Sequence, residues 1–215
     1  MDEKWKQTFL DWRKTTQFKK SLQEAEDIIS EALKKHRPYL AYSGGKDSLC
    51  LVHLVCRQNP HIFVYHHSQG KYMPKEIQRE IEDNAVKAGA KNLHVYPPER
   101  NFWTSILEEL KRYGYNAVFV GLRKEESSSR KLRINKKKSL TCFFEYWPLA
   151  NWTWMDVWAY IVGNNLSYPS IYDRYAKVEG WDRVRFHSFF DPSMDKFGCT
   201  NVDGVLNWRY RNFTI

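Results

Sequence analysis

One ten-residue stretch, Ala41-Tyr42-Ser43-Gly44-Gly45-Lys46-Asp47-Ser48-Leu49-Cys50, limits what this chain can fold into more than any other. Apolar runs flank it, Tyr39-Leu40-Ala41-Tyr42 before and Leu49 to Cys56 after, the second broken only by His53. That pattern reads as buried strand, tight loop, buried helix. A loop of this kind ends at a helix N-terminus, where backbone N–H groups lack intrahelical partners and the helix dipole is positive. Such a place favours an anion, and phosphate is the usual one.

The rest of the chain repeats the alternation. Residues 1–20 are basic and aromatic and read as an N-terminal arm. Ser21-Leu22-Gln23-Glu24 is a capping box, followed at helical spacing by Ala25, Ile28, Ile29, Ala32 and Leu33. Strands are expected at His61–Tyr65, Asn92–Tyr96, Asn116–Gly121 and Leu140–Trp147, and helices after Pro74 and from Phe102 to Tyr113. Ile77, Ile81, Ala85 and Val86 share one face of the helix after Pro74. Thr153 with Asp156 three residues on caps a further helix carrying Val157, Trp158, Tyr160 and Ile161. The expected fold is α/β: a Rossmann-like parallel sheet of about five strands with helices on both faces and a mostly irregular or helical C-terminal region. Residues 21–150 form the main domain, and 151–215 an extension packed on it. In such sheets ligands bind beyond the carboxyl ends of the strands. The loops after Tyr42 and Val120 are the best placed and the most unusual.

The second loop, Gly121-Leu122-Arg123-Lys124-Glu125-Glu126-Ser127-Ser128-Ser129-Arg130, sets two arginines around a carboxylate pair and three hydroxyls. A guanidinium grips phosphate or sulfate with a planar fork of donors. A solvated loop with its charges paired among themselves is the alternative. From Arg130 to Lys138 six of nine residues are basic, which reads as an exposed, mobile segment in preference to a nucleic-acid contact or a lid over an anionic substrate.

Composition bounds the function. The net charge of +9 suits a polyanion, nucleotide or nucleic acid, without choosing between them. No run of about 18 apolar residues exists, so no membrane span is expected, and the charged start lacks a signal region. A cytoplasmic location follows as an expectation. Cys50, Cys56, Cys142 and Cys199 show no C-x-x-C pair, which argues against a disulfide framework and a zinc knuckle. Cys50 and Cys56 read as core residues. No spacing reads as a metal site of protein ligands.

Three segments in one order, "SGGKDS", "GLRKEESSSR" and "PLANWTWMDVWAYI…YPSIYDR", resemble the phosphoadenosine phosphosulfate (PAPS) reductase family. That family lies within the adenine-nucleotide alpha-hydrolase, PP-loop or N-type ATP pyrophosphatase, superfamily. The resemblance implies a nucleotide held by Ser43, Gly44, Gly45, Lys46, Asp47, Ser48, Gly121, Arg123 and Arg130. Gly44 and Gly45 would let the backbone near the phosphates and take unusual dihedrals. Ser43 and Ser48 would donate hydroxyl hydrogen bonds, and Lys46 would supply charge at the α-phosphate. Asp47 would hold the loop or reach Mg²⁺ through water. Arg123 and Arg130 would bind the phosphosulfate or phosphate tail. Adenine would lie near Ala41, Tyr42 and Tyr65-His66-His67, where the histidines are expected after the second strand.

Reductases of the family attack sulfur with a cysteine in a terminal Glu-Cys-Gly-x-His tail, whereas this chain ends "NWRYRNFTI". Gly198-Cys199 is present, with Val202 where a second cysteine would stand. Cys199 is thus the candidate catalytic thiol beside Lys46 and Asp47. The implied activity is that of a sulfonucleotide reductase or transferase taking PAPS or its 3′-unphosphorylated form (APS). An ATP pyrophosphatase adenylating an acceptor is the alternative, and a non-catalytic nucleotide-binding module the third reading. The implied ligand is an adenine nucleotide, PAPS or ATP, with room for Mg²⁺ and without an iron–sulfur cluster. A thiol-reductant protein and a second copy of the chain stay open as partners; nucleic acid is not favoured.

Overall fold

The computed structural model describes residues 1–184 apart from 69, 71 and 72. Five strands, β1 (Pro38–Tyr42), β2 (Val64–His67), β3 (Leu93–Tyr96), β4 (Ala117–Val120) and β5 (Phe144–Tyr146), pair in parallel in the order β3-β2-β1-β4-β5. Eight α-helices accompany them among the described residues: α1 (Glu3–Lys14), α2 (Thr16–Lys35), α3 (Lys46–Gln58), α4 (Lys75–Lys87), α5 (Leu107–Arg112), α6 (Ser128–Asn135), α7 (Trp154–Gly163) and α8 (Ile171–Glu179). This is the expected α/β Rossmann-like arrangement.

Side chains alternate across the sheet, so each face has its own core. Leu40, Tyr42, Val64 and Phe119 join the larger core with residues of α2, α3, α4 and α7, including Ile29, Leu51, Ile81 and Trp158. Tyr39, Phe63, Tyr65, Tyr96 and Val118 meet Ile106, Leu110 and Phe143 on the other side. Cys50 and Cys56 are buried in the larger core, as read from their apolar helix. The first residues lie against α7: Trp12 Nε1 donates to Asp156 Oδ1 at 2.9 Å, and the Phe9 ring stacks 6.3 Å from that of Trp158. No described helix is long and apolar enough to cross a membrane.

Several features differ from expectation, the first three of them where a side chain or turn takes backbone donors. The capping box at Ser21 is not used. The helix begins at Thr16 under a Thr15 cap, whose hydroxyl accepts from Phe18 N at 3.2 Å, and Ser21 is buried inside it. The second strand starts at Val64 instead of His61, because Asn59 folds a turn that takes the N–H groups of His61 and Ile62. It runs on to His67, so both loop histidines are strand residues. The fifth strand is confined to Phe144–Tyr146. Before it, Leu140 N donates to the Glu145 carboxylate at 2.8 Å and Phe143 N to Thr141 Oγ1 at 3.2 Å. Phe102–Ile106 winds as a π-helical turn, capped by Asn101, before α5 begins. Val86 leaves the buried face of α4 and is exposed. Much of the basic run is helical: Ile134 is buried, and Arg133 pairs with buried Glu145.

Candidate functional site

β1 sits at the centre of the sheet, with β2 on one side and β4 on the other. The chain leaves β1 for β2, while β4 returns on the opposite side, so the topological switch point, where such sheets bind ligands, lies at the carboxyl ends of β1 and β4. Both unusual loops stand there. The Ser43–Gly45 loop ends at the N-terminus of α3, where Gly45 is the N-cap and supplies no side-chain hydrogen bond.

Gly44 alone of the two glycines takes the left-handed region, at φ +86°, and a Cβ on it would come 2.9 Å from Ile81 Cδ1 of α4. Gly45 is extended, at φ −78°, a conformation open to any residue. The two serines brace the loop. Ser48 Oγ accepts from Ser43 N at 3.2 Å, lies 3.0 Å from Ser43 Oγ and donates to Gly45 O at 3.0 Å. Gly121 brings the end of β4 against α3, since a Cβ there would meet Ser48 Cα and N at 3.1 Å. The "GLR" glycine is thus explained by backbone crossing backbone.

The charged residues form a connected set. Lys46, 3% exposed, donates to Asp47 Oδ2 at 3.2 Å. Arg123, 4% exposed, pairs through Nε with Asp47 and through Nη1 with Glu125 at 2.5 Å, and donates to Trp152 O at 3.4 Å. Glu125 also accepts from Trp154 N of α7 at 2.7 Å. Glu126 accepts from Arg123 N at 3.0 Å and pairs with Arg130. Burial lowers the pKa of Lys46, and the Arg123 charge adds to that against the pull of Asp47. Burial by itself would raise Asp47, but Arg123 and Lys46 outweigh it and hold the carboxyl far below its ordinary range. Three cations, Lys46, Arg123 and Arg130, therefore face three carboxylates, Asp47, Glu125 and Glu126. Arg123 ties α3, the second loop and α7 together, with its Nε and Nη1 occupied.

Of the residues singled out from sequence, Ser43, Gly44, Gly45, Lys46, Asp47, Ser48, Gly121 and Arg123 come together. Arg130 joins through Glu126. Cys199 lies outside the described residues. His66 is buried, with Nδ1 2.9 Å from Tyr42 O and Nε2 3.0 Å from Gln78 Nε2. That pairing fits a neutral ring whose Nδ1 donates. Tyr172 lies in the "YPSIYDR" segment that carries the resemblance, but the sequence assigned it no role. From α8, 126 residues away, its hydroxyl accepts from Lys46 N at 2.9 Å, and Lys46 Nζ lies 5.7 Å from its ring centre. Among the described residues no group of three or more His, Cys, Asp or Glu is placed to hold a metal ion.

Burial lowers the pKa of His66 and of His53 below the ordinary 6.5. Below about 6.5 the unfolded chain binds these protons and the fold resists them, so stability rises with pH in that window. Their contribution is complete above about 6.5 and is lost as pH falls toward the folded values. The urea midpoint should therefore drop on going from about pH 7.5 to about pH 5.5, and His66→Gln should flatten the slope. An unchanged slope in that variant would remove His66 as a contributor.

A family model described as the phosphoadenosine phosphosulfate reductase domain matches residues 37–111 and 104–202. Sulfate adenylyltransferase subunit 2 of Mycolicibacterium gilvum is 25% identical over 80% of this chain and 71% of its own length. The chain spans 60% and 62% of two further sulfate adenylyltransferase subunits that it matches. Adenosine 5′-phosphosulfate reductase 2 of Bacillus subtilis is 36% identical over a shorter region, 43% of this chain and 40% of that protein. Among solved structures, the Candida glabrata FMN adenylyltransferase with FMN and an ATP analogue shares the fold at a TM-score of 0.56 and 16% identity. That match covers 80% of this chain and 67% of that one.

Proposed function

The chain belongs to the phosphoadenosine phosphosulfate reductase domain family, and from that premise we propose that it is an enzyme binding an adenine nucleotide on the Ser43–Ser48 loop and acting at the α-phosphate end. The observation that carries this is the loop itself: a left-handed Gly44 and two mutually bonded serines at the N-terminus of α3, whose N-cap gives no side-chain hydrogen bond, at the carboxyl end of β1 beside β4. The N–H groups and helix dipole there suit phosphate. Lys46 stands beside the loop as a charge for the developing negative charge of the transition state, and Asp47 orients it.

Two reactions use such a site. In sulfonucleotide reduction a thiolate attacks the sulfur, the S–O bond to the α-phosphate breaks, and the nucleoside phosphate leaves. In adenylyl transfer an acceptor oxygen attacks the α-phosphorus and pyrophosphate leaves. One observation favours the second. Lys46, Arg123 and Arg130 are each already paired with a carboxylate, so the protein offers little unspent positive charge to a phosphosulfate tail. A nucleoside triphosphate travels with Mg²⁺, which supplies that charge. Asp47, the carboxylate at the loop, already accepts from Arg123 at Oδ1 and from Lys46 at Oδ2, so it could reach the ion only through water, with the phosphates as the direct ligands. The names of the adenylyltransferase relatives agree with this reading, and "subunit 2" brings with it the expectation of a partner subunit.

The test is a three-substrate comparison: PAPS, APS and ATP, each with and without Mg²⁺ and a dithiol. Mg²⁺-dependent pyrophosphate release, rising with the right acceptor, supports adenylyl transfer. Sulfite release supports the reductase instead, and its loss in Cys199→Ser would assign the thiol. Failure of all three nucleotides to bind would reject the proposal.

A further inference from the structure

Tyr172 is a residue to which the nucleotide reading gives no task. It comes from the first turn of α8, is 1% exposed, and packs edge-on against Trp158 with ring centres 5.5 Å apart. Its hydroxyl takes the first N–H of α3, that of Lys46, at 2.9 Å. The Lys46 N–H needs such a partner, because the first N–H groups of a helix have no intrahelical acceptor. The approach is from inside the protein. Tyr172 and Lys46 belong to the buried side of the loop, while Ser43 on the outer side is exposed and Gly45 and Asp47 are half-buried. The ring also lies beneath the Lys46 ammonium, 5.7 Å from Nζ. One side chain thus holds the Lys46 backbone through a hydrogen bond and its side chain through a cation–π contact. α8 is itself anchored to α4, where Ser170 N and Oγ both donate to the Glu80 carboxylate at 2.6 and 2.8 Å.

We propose that Tyr172 is the positioning residue of the anion loop: its hydroxyl caps α3 from the core side and so aims the outer N–H groups and Lys46 at the phosphates. This rests on the nucleotide reading above, and it makes the segment from Pro169 to Asp173 part of the site although it need not touch the ligand. The hydroxyl takes the N1 N–H of α3, a donor that an N-cap side chain, which reaches N2 or N3, does not meet.

Tyr172→Phe keeps the ring, the packing and the cation–π contact and deletes the hydroxyl, the acceptor for Lys46 N together with its own O–H donor. ATP·Mg²⁺ affinity by calorimetry should fall about tenfold, the scale of one lost hydrogen bond with its buried partner left unpaired. Adenosine affinity should stay unchanged, because adenosine has no phosphate to be aimed at. A residue that merely packs would move both together or neither. Amide hydrogen exchange of the Ser43–Ser48 segment without ligand should speed up in the variant, and this arm stands even if the protein binds no nucleotide. Faster exchange with unbound ATP in the wild type would sink the nucleotide reading and leave the capping role. Unchanged exchange and unchanged ATP affinity would overturn the positioning role, and so would a rise in ATP affinity, which would make the hydroxyl a competitor of the phosphate.

Discussion

Arg123→Ala will lower the stability of the whole protein by about 3 kcal/mol, because it strips a buried cation from two carboxylates and a carbonyl at once. Arg123 is 4% exposed, and its guanidinium is shared among Asp47, Glu125 and Trp152 O. Removing one member of a buried pair costs about 3–5 kcal/mol in general, since the remaining charge stays desolvated. The lower end applies here. Asp47 keeps Lys46 as a partner, and the Glu125 side chain is 42% exposed, so water screens part of its loss. For a domain of this size 1 kcal/mol moves the melting temperature by about 2–4 °C, which places the variant roughly 6–12 °C below the wild type. Arg123→Lys should fall between the two, since an ammonium is a point charge and cannot span from Asp47 to Glu125. A double-mutant cycle with Asp47→Asn should show strong coupling between the positions. Strictly additive melting shifts would mean that the ion pair contributes nothing and that Arg123 is free to serve a ligand instead.

This outcome also shows where sequence reading stopped. The strand–loop–helix around Ser43–Ser48 was legible because hydrophobic period, glycines and hydroxyls are all local signals, and β1 and α3 lie where those signals place them. Thr153 and Asp156 formed the expected capping box for the same reason, since both partners lie within one turn. Boundaries governed by a side chain spending a backbone donor were not legible. Asn59 turning the chain before β2 and Glu145 drawing Leu140 out of β5 are examples. Arg123 was legible as a charged residue at the right crevice, but not its burial between Asp47 and Glu125, which depends on α7 arriving to close it. The role of Tyr172 lay furthest out of reach, although the residue sits in the quoted "YPSIYDR" segment. Its partner is 126 residues away, and a tyrosine in an aromatic-rich segment reads as core.

Lys46→Met should have the opposite signature to Arg123→Ala, although both cations sit on the same carboxylate. Methionine keeps an unbranched apolar stem of similar length in the buried position over the Tyr172 ring and deletes the charge. The ammonium is nearly inaccessible to water, and burial already works against its protonated form. Deleting it therefore removes a desolvation cost along with an ion pair. Asp47 retains the Arg123 guanidinium, so no carboxylate is left uncompensated. The two effects oppose, and the melting temperature should stay within a few degrees of the wild type. Binding should not be spared. A charge facing phosphate in a desolvated site is worth about 1.5–3 kcal/mol, so ATP affinity should fall roughly 10- to 150-fold by calorimetry. Adenosine affinity should hold, which separates lost charge from a damaged pocket. A buried lysine kept at no gain to stability is the mark of a group retained for a ligand. If Lys46→Met instead melts as low as Arg123→Ala and binds ATP as the wild type does, Lys46 is a structural partner of Asp47 and the anion must be met elsewhere.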